Sequence, residues 1–125
     1  APDKKKYSKE HLLLLIYIYY YKSILSIGDI QSLLEPLTQR YFHKNGEMNM
    51  QSIYEEVFSL EKEQVEKMKQ DVTEKYETAS CIFPEAEAED QEFLRIFSFI
   101  CLLSFDVYVK KQVIEKLIDE LPKKS

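Results

Sequence analysis

From Asn49 onward, apolar residues recur every three to five positions: Ile53, Val57, Leu60, Val65, Met68, Val72, Tyr76 and Ala79. After an interruption at Cys81-Ile82-Phe83-Pro84 the pattern resumes with Phe93, Ile96, Phe97, Ile100, Leu103, Val107, Ile114, Leu117, Ile118 and Leu121. That period is helical; a strand would alternate every second residue. Only two glycines and four prolines punctuate 125 residues, too few turn formers for a many-stranded sheet. The pattern therefore predicts an all-α fold, a helical bundle, and the length fits a single helical domain over residues 1–125.

The front of the chain carries a different signal. Leu12 to Tyr21 is apolar on every face, and Ser8 is a good N-cap residue, so a first helix is expected from about Lys9 to Ile24, surrounded by other elements. About ten residues fall far short of the ~20 that span a bilayer, so no membrane partner is expected. Ser26-Ile27-Gly28-Asp29 resembles a capping box, which starts a second helix over roughly Ile27 to Leu34. Pro36 then disfavours its continuation. Thr38 to Asn49 reads as a connection, with a helical turn at Arg40-Tyr41-Phe42 before the Asn45-Gly46 turn.

Between the apolar positions that follow lie Glu55, Glu56, Glu61, Lys62, Glu63, Glu66, Lys67, Lys69, Glu74 and Lys75, a solvated face of mixed sign. A narrow apolar stripe beside such a face suits a seam between helices. Ile53, Val57, Leu60, Val65, Met68, Val72 and Tyr76 are thus association-face candidates, burying either against an identical helix of a second copy or against Phe93 to Leu121 of the same chain. Ser59 leaves open one bent helix or two helices meeting there. Pro84 followed by Glu85, Glu87, Glu89 and Asp90 is a favourable helix start, and the first half of this last helix, rich in Phe, is expected to be its more buried half.

Net charge is −5, unevenly spread. Residues 1–45 hold seven Lys/Arg against four Asp/Glu, or +3, and residues 46–125 hold ten against eighteen, or −8. A basic front on an acidic body can set one end near phosphates while the body repels them. Cys81 and Cys101 read as two ordinary reduced thiols, in keeping with a cytoplasmic setting. Neither they nor His11 and His43 stand in a metal-ligand spacing. The acidic run after Pro84 lacks the glycine and alternating oxygens of a calcium loop. No nucleophile elbow, phosphate-cradling loop or catalytic carboxylate pair is legible, so no cofactor, metal or catalytic residue is expected, and the chain does not read as an enzyme. Tyr17 to Tyr21 reads as core more readily than as a pocket for a flat ligand.

Lys6-Tyr7-Ser8, the helix Leu12 to Lys22 and Ser26-Ile27-Gly28-Asp29-Ile30-Gln31-Ser32-Leu33-Leu34 together resemble part of MerR-type transcription regulators. In that family a helix-turn-helix is followed by a wing ending in basic and aromatic residues, a helix, a short S-x-x-E-I-x-x-L-L helix, and a long dimerising helix. Here Lys6-Tyr7-Ser8 looks like the end of the wing, and Asp29 takes the acidic place in the short helix. More broadly, the chain resembles small bacterial proteins with a MerR-like front (residues 1–40) and a helical extension of unknown role (residues 46–125).

The resemblance implies a transcription regulator whose DNA-reading helices would lie before Ala1, with a homodimer as its working form. DNA would be a partner only with those helices present, and Lys4, Lys5, Lys6 and Tyr7 are the DNA-contact candidates, holding phosphates without reading bases. Two other readings stand beside it: a stand-alone helical protein-interaction module, and a small-molecule sensor with a cavity among Tyr17, Tyr20, Phe97 and Phe105.

Overall fold

The computed structural model describes residues 8–122, and among these the fold is all-α. Five helices follow in order: α1 (Lys9–Tyr21), α2 (Ile27–Tyr41), α3 (Met50–Phe58), α4 (Glu61–Ser80) and α5 (Ala88–Asp119). The chain divides into two compact units, one of residues 1–60 with 113–125 and one of residues 61–112. Helix α5 contributes to both, and the boundary expected between residues 40 and 46 falls inside the first unit.

In the first unit, local chemistry sets the helix starts. Ser8 Oγ accepts the His11 backbone N–H at 3.3 Å, and Ser26 Oγ accepts that of Asp29 at 3.1 Å. Asn49 and Ser52 form a reciprocal capping box that opens α3, satisfying two N–H groups a helix start otherwise leaves unpaired. The unit's core gathers Tyr17, Leu25, Ile30, Leu34 and Ile118, with Leu14, Tyr21, Leu33, Leu37, Tyr54, Phe58 and Ile114 packed around them. Tyr17 sits in an aromatic nest, its ring 6.0 Å from Tyr54 and 6.1 Å from Phe58.

Three expectations about this unit need correction. Helix α1 ends at Tyr21, because the chain turns so that the Ile24 and Leu25 N–H groups both bond the Tyr21 carbonyl, and this tucks Leu25 into the core. Nor is α1 surrounded. One face packs, whereas Leu12, Leu15, Ile16, Tyr19 and Tyr20 are exposed, Tyr19 by 79 %. Helix α2 does not stop at Leu34 but runs through Pro36 to Tyr41. Burial of Leu37 beside Leu33 and Leu34 outweighs the local cost of a proline ring in a helix.

Ser59 and Leu60, at the end of the first unit's leading segment, separate α3 from α4, so there are two helices and not one bent helix. The Ser59 N–H bonds the Glu55 carbonyl, and its hydroxyl donates to the Glu56 carbonyl at 2.6 Å. Helix α4 ends at Ser80, and Phe83 adopts a left-handed backbone, φ 58°. The next helix begins at Ala88, four residues later than Pro84, with Gln91 Nε2 donating to the Pro84 carbonyl at 3.1 Å. Helices α4 and α5 meet through Tyr76 and Phe99, edge to face at 5.4 Å, and through the Arg95 guanidinium, 5.9 Å over the Tyr76 ring. Ala79 and Ser98 are buried.

Burial along α5 is one-sided and, as expected, greater in its first half. There Leu94, Arg95, Ser98, Phe99 and Cys101 to Leu103 are buried or half-buried, while Phe93, Ile96, Phe97 and Ile100 on the other side are half or more exposed. In the second half Ile114 and Ile118 enter the core of the first unit and most other positions are exposed.

Candidate binding surfaces

The association-face candidates do not form one continuous stripe. Ile53 and Val57 lie on α3 and Leu60 at its end, in the first unit, with Ile53 half-buried and Val57 and Leu60 more than half exposed. Val65, Met68, Val72 and Tyr76 lie on α4 in the second unit. Of these, Val72 is half-buried and Tyr76 is engaged by Phe99 and Arg95 of α5, while Met68 is 56 % exposed. The break at Ser59 divides the set, and part of it packs within the chain. Lys4, Lys5, Lys6 and Tyr7 lie outside the described residues.

The tyrosine and phenylalanine members of the suggested sensor cavity separate in the same way. Tyr17 and Tyr20 belong to the first unit and Phe97 and Phe105 to the second. Tyr17 is packed by its own aromatic neighbours, and Phe105 is 62 % exposed. Burial raises the Tyr17 hydroxyl above its ordinary titration range, helped by Tyr21 and Tyr54. It does the same for Tyr21, helped by Tyr20. Both phenols are held in the neutral form, as core phenols are.

What the first unit does build is a groove of about 790 Å³ between α1 and α2. Leu14 and Ile18 form one wall and Ile27, Ile30 and Leu34 the other, with Leu25 also lining it and Lys22, Gln31, Glu35 and Thr38 as its polar members. It arises because α1 and α2 each align apolar residues at a spacing of three or four, and Ile27, at the groove edge, is left 84 % exposed. Two such stripes with an apolar trough between them are the general form of a helix-receiving surface. The sequence signal for it was α1 itself: a helix apolar on every side but packed on one leaves a second side unfilled.

A second feature holds the ends of α1 and α2 together. Glu10 Oε2 accepts the His43 backbone N–H at 2.7 Å, and Glu10 Oε1 lies 3.2 Å from His43 Nδ1. His43 has φ 62°, and the His11 and Phe42 rings meet edge to face at 5.0 Å. These residues serve a structural clasp.

The second unit offers a charged cluster and an apolar face. Lys75 Nζ donates to Asp71 Oδ2 and lies 3.6 Å from Asp106 Oδ2, which is also 3.5 Å from Lys110 Nζ. The hydrogen bond to Asp71, with the nearby Asp106, raises the Lys75 ammonium above its ordinary range, although partial desolvation opposes the shift. A stably charged lysine is a fastener, not a general base.

On the same unit's α5, Phe93, Ile96, Phe97, Ile100, Val107 and Tyr108 are each half or more exposed. Ile100, Leu103, Ser104, Val107, Tyr108 and Lys111 line a groove of about 400 Å³ on that helix. Cys81 is exposed and Cys101 partly so, both as free thiols. Among the described residues no three His, Cys, Asp or Glu side chains are placed to hold a metal ion. No helix there is long and apolar enough to cross a membrane.

Over residues 1–58, through the end of α3, the chain is similar to a family described as a domain of unknown function, DUF1836. No curated protein and no solved structure matches it. The segment shared with that family contains all ten residues that line the α1/α2 groove.

Proposed function

We propose that this chain is a non-catalytic, self-associating helical module, and that in its working form it dimerises a MerR-like transcription regulator. The observation that carries the first half is the exposed apolar face of α5, from Phe93 to Tyr108. Such a face exceeds the scattered apolar side chains a soluble monomer normally shows, and marks an association surface. The regulator half draws support from the capped helix that opens at Ser26, where the sequence resembles the MerR short helix. The same helix runs on past Leu34, a departure from that pattern.

A second reading, an interaction module without a role on DNA, is favoured by the α1/α2 groove, whose form suits a partner helix. Light scattering on this chain, followed by DNA binding of the longest native form at two salt concentrations, separates the two. A mass twice 14.9 kDa with DNA affinity that falls as salt rises supports the dimeric regulator, because phosphate contacts release counterions. A dimer indifferent to DNA leaves the interaction module. A monomer overturns self-association.

A further inference from the structure

We propose that two copies of this chain pair through α5 in antiparallel, centred on Ile100, with the Phe93 and Phe97 rings of each seated in the groove between Ile100 and Lys111 of the other. The inference rests on the self-association reading and assigns its face and direction. Three observations carry it.

The first is shape. Along the exposed side of α5, the half before Ile100 is a projection: Phe93 and Phe97, stacked with ring centroids 5.7 Å apart and exposed by 63 % and 52 %. The half after it carries a shallow, open groove of about 400 Å³ along Ile100, Leu103, Ser104, Val107, Tyr108 and Lys111, in which Val107 and Tyr108 are themselves exposed by 67 % and 64 %. A projection and a groove at equal distances on either side of one residue are self-complementary under a two-fold rotation that reverses the helix. In a parallel pair, projection would meet projection.

The second is charge. The same mirror relation about Ile100 sets Glu89 against Lys111 of the second copy and Glu92 close to Lys110 of the second copy. By helical spacing Glu89 and Lys111 fall on the apolar stripe, and Glu92 and Lys110 share one flank of it. Lys110 also approaches Asp106, and Glu92 approaches Arg95, on their own helix at 3.5 and 3.7 Å. These are exposed pairs that bind weakly and exchange partners readily. In a parallel pair acids would face acids.

The third is area. With aromatic side chains of about 150–250 Å² each and exposures of half to two-thirds, the stripe offers roughly 650 Å² of mainly apolar surface per copy, close to the ~800 Å² per partner of a stable interface. The face lies away from the Tyr76–Phe99 contact that joins α5 to α4, so pairing leaves that contact intact.

Cysteine cross-linking in a Cys81→Ser/Cys101→Ser background reads the register directly. Ile100→Cys should form a disulfide-linked dimer on mild oxidation. Val107→Cys alone should not, since its two copies would sit about 20 Å apart along the axis. A mixture of Val107→Cys and Phe93→Cys should cross-link between the two variants. As a second measurement, Ile100→Glu should weaken the dimer at least about thirty-fold in dissociation constant with circular dichroism unchanged, because Ile100 is 55 % exposed.

Self-linking of Val107→Cys would overturn the antiparallel register while leaving self-association standing. So would a dimer insensitive to Ile100→Glu but dissociated by Val65→Glu/Met68→Glu, which would move the interface to α4. A monomeric wild type overturns both.

Discussion

Glu10 and His43 are thirty-three positions apart, and no pattern in the sequence joins them. Their pairing depends on where α2 ends, and that depends on whether Leu37 is buried, a tertiary fact. The contact is the kind that resists substitution: a carboxylate, 19 % exposed, accepting a backbone N–H at 2.7 Å. Hydrogen bonds to a charged partner are stronger than neutral ones. Glu10→Ala is therefore expected to destabilise the first unit by about 1–2 kcal/mol, read as a lower urea midpoint with unchanged slope. His43→Ala, which removes the ring but keeps the N–H that Glu10 grips, should cost clearly less. Equal losses would mean that the imidazole carries the contact. The cap residues, by contrast, were legible. Ser8 and Ser26 stand where N-cap chemistry requires a short polar side chain, and both accept the N–H groups expected of them. Asn49 adds a capping box with Ser52, and Asn49→Ala should cost about 1 kcal/mol, seen as a lower thermal midpoint.

At the scale of elements, helix type was readable from spacing, while helix ends and helix sides were not. The three-to-five spacing after Asn49 gives α3, α4 and α5 because that period is local geometry. Which side of each helix meets a partner is not local. The Ile53 to Tyr76 stripe looked continuous, yet Ser59 divides it and Tyr76 turns out to meet Phe99. Similarly, the Phe-rich start of α5 is the more buried half of that helix, but on one side alone: Ser98 and Phe99 are covered, while Phe93, Ile96, Phe97 and Ile100 are surface. Pro36 shows the same limit. A proline inside a helix removes one backbone hydrogen bond and crowds the preceding turn, at about 3 kcal/mol in isolated helices, so a stop before it was the sound local reading. The helix continues because Leu37 and Tyr41 extend the apolar spacing begun at Ile30 and Leu33, and Leu37 packs on the core. Pro36→Ala should then raise the thermal midpoint of the first unit, with a gain below the peptide value, since the unfolded chain is also freed. A lower midpoint would show that the ring, half-buried beside Ile118 in a cavity of about 400 Å³, contributes more by packing than it costs the backbone.

At the scale of the whole molecule, both units hold titratable groups whose shifts point the same way. Tyr17 and Tyr21 in the first unit are raised above an ordinary value of 10.0, chiefly by burial, and Lys75 in the second is raised above 10.5, chiefly by its hydrogen bond to Asp71. In each case the folded state binds the proton more tightly than the unfolded state. Their stabilising contribution is complete below the unfolded value and is lost as pH rises through the raised folded value. The physical causes differ: a phenolate cannot be formed in the Tyr17 nest without desolvation, whereas a neutral Lys75 leaves Asp71 and Asp106 facing each other without their cation. The chain should thus show a urea midpoint independent of these three groups below about pH 10, and falling steeply above it. Phenolate absorbance from Tyr17 and Tyr21 should rise at a higher pH in the folded chain than in the urea-unfolded chain. Tyr17→Phe/Tyr21→Phe should flatten the alkaline slope without moving Asp71 or Asp106, and adding Lys75→Met should flatten it further. A slope unchanged by all three substitutions would place the alkaline sensitivity in other groups and show that burial of the two phenols does not govern it.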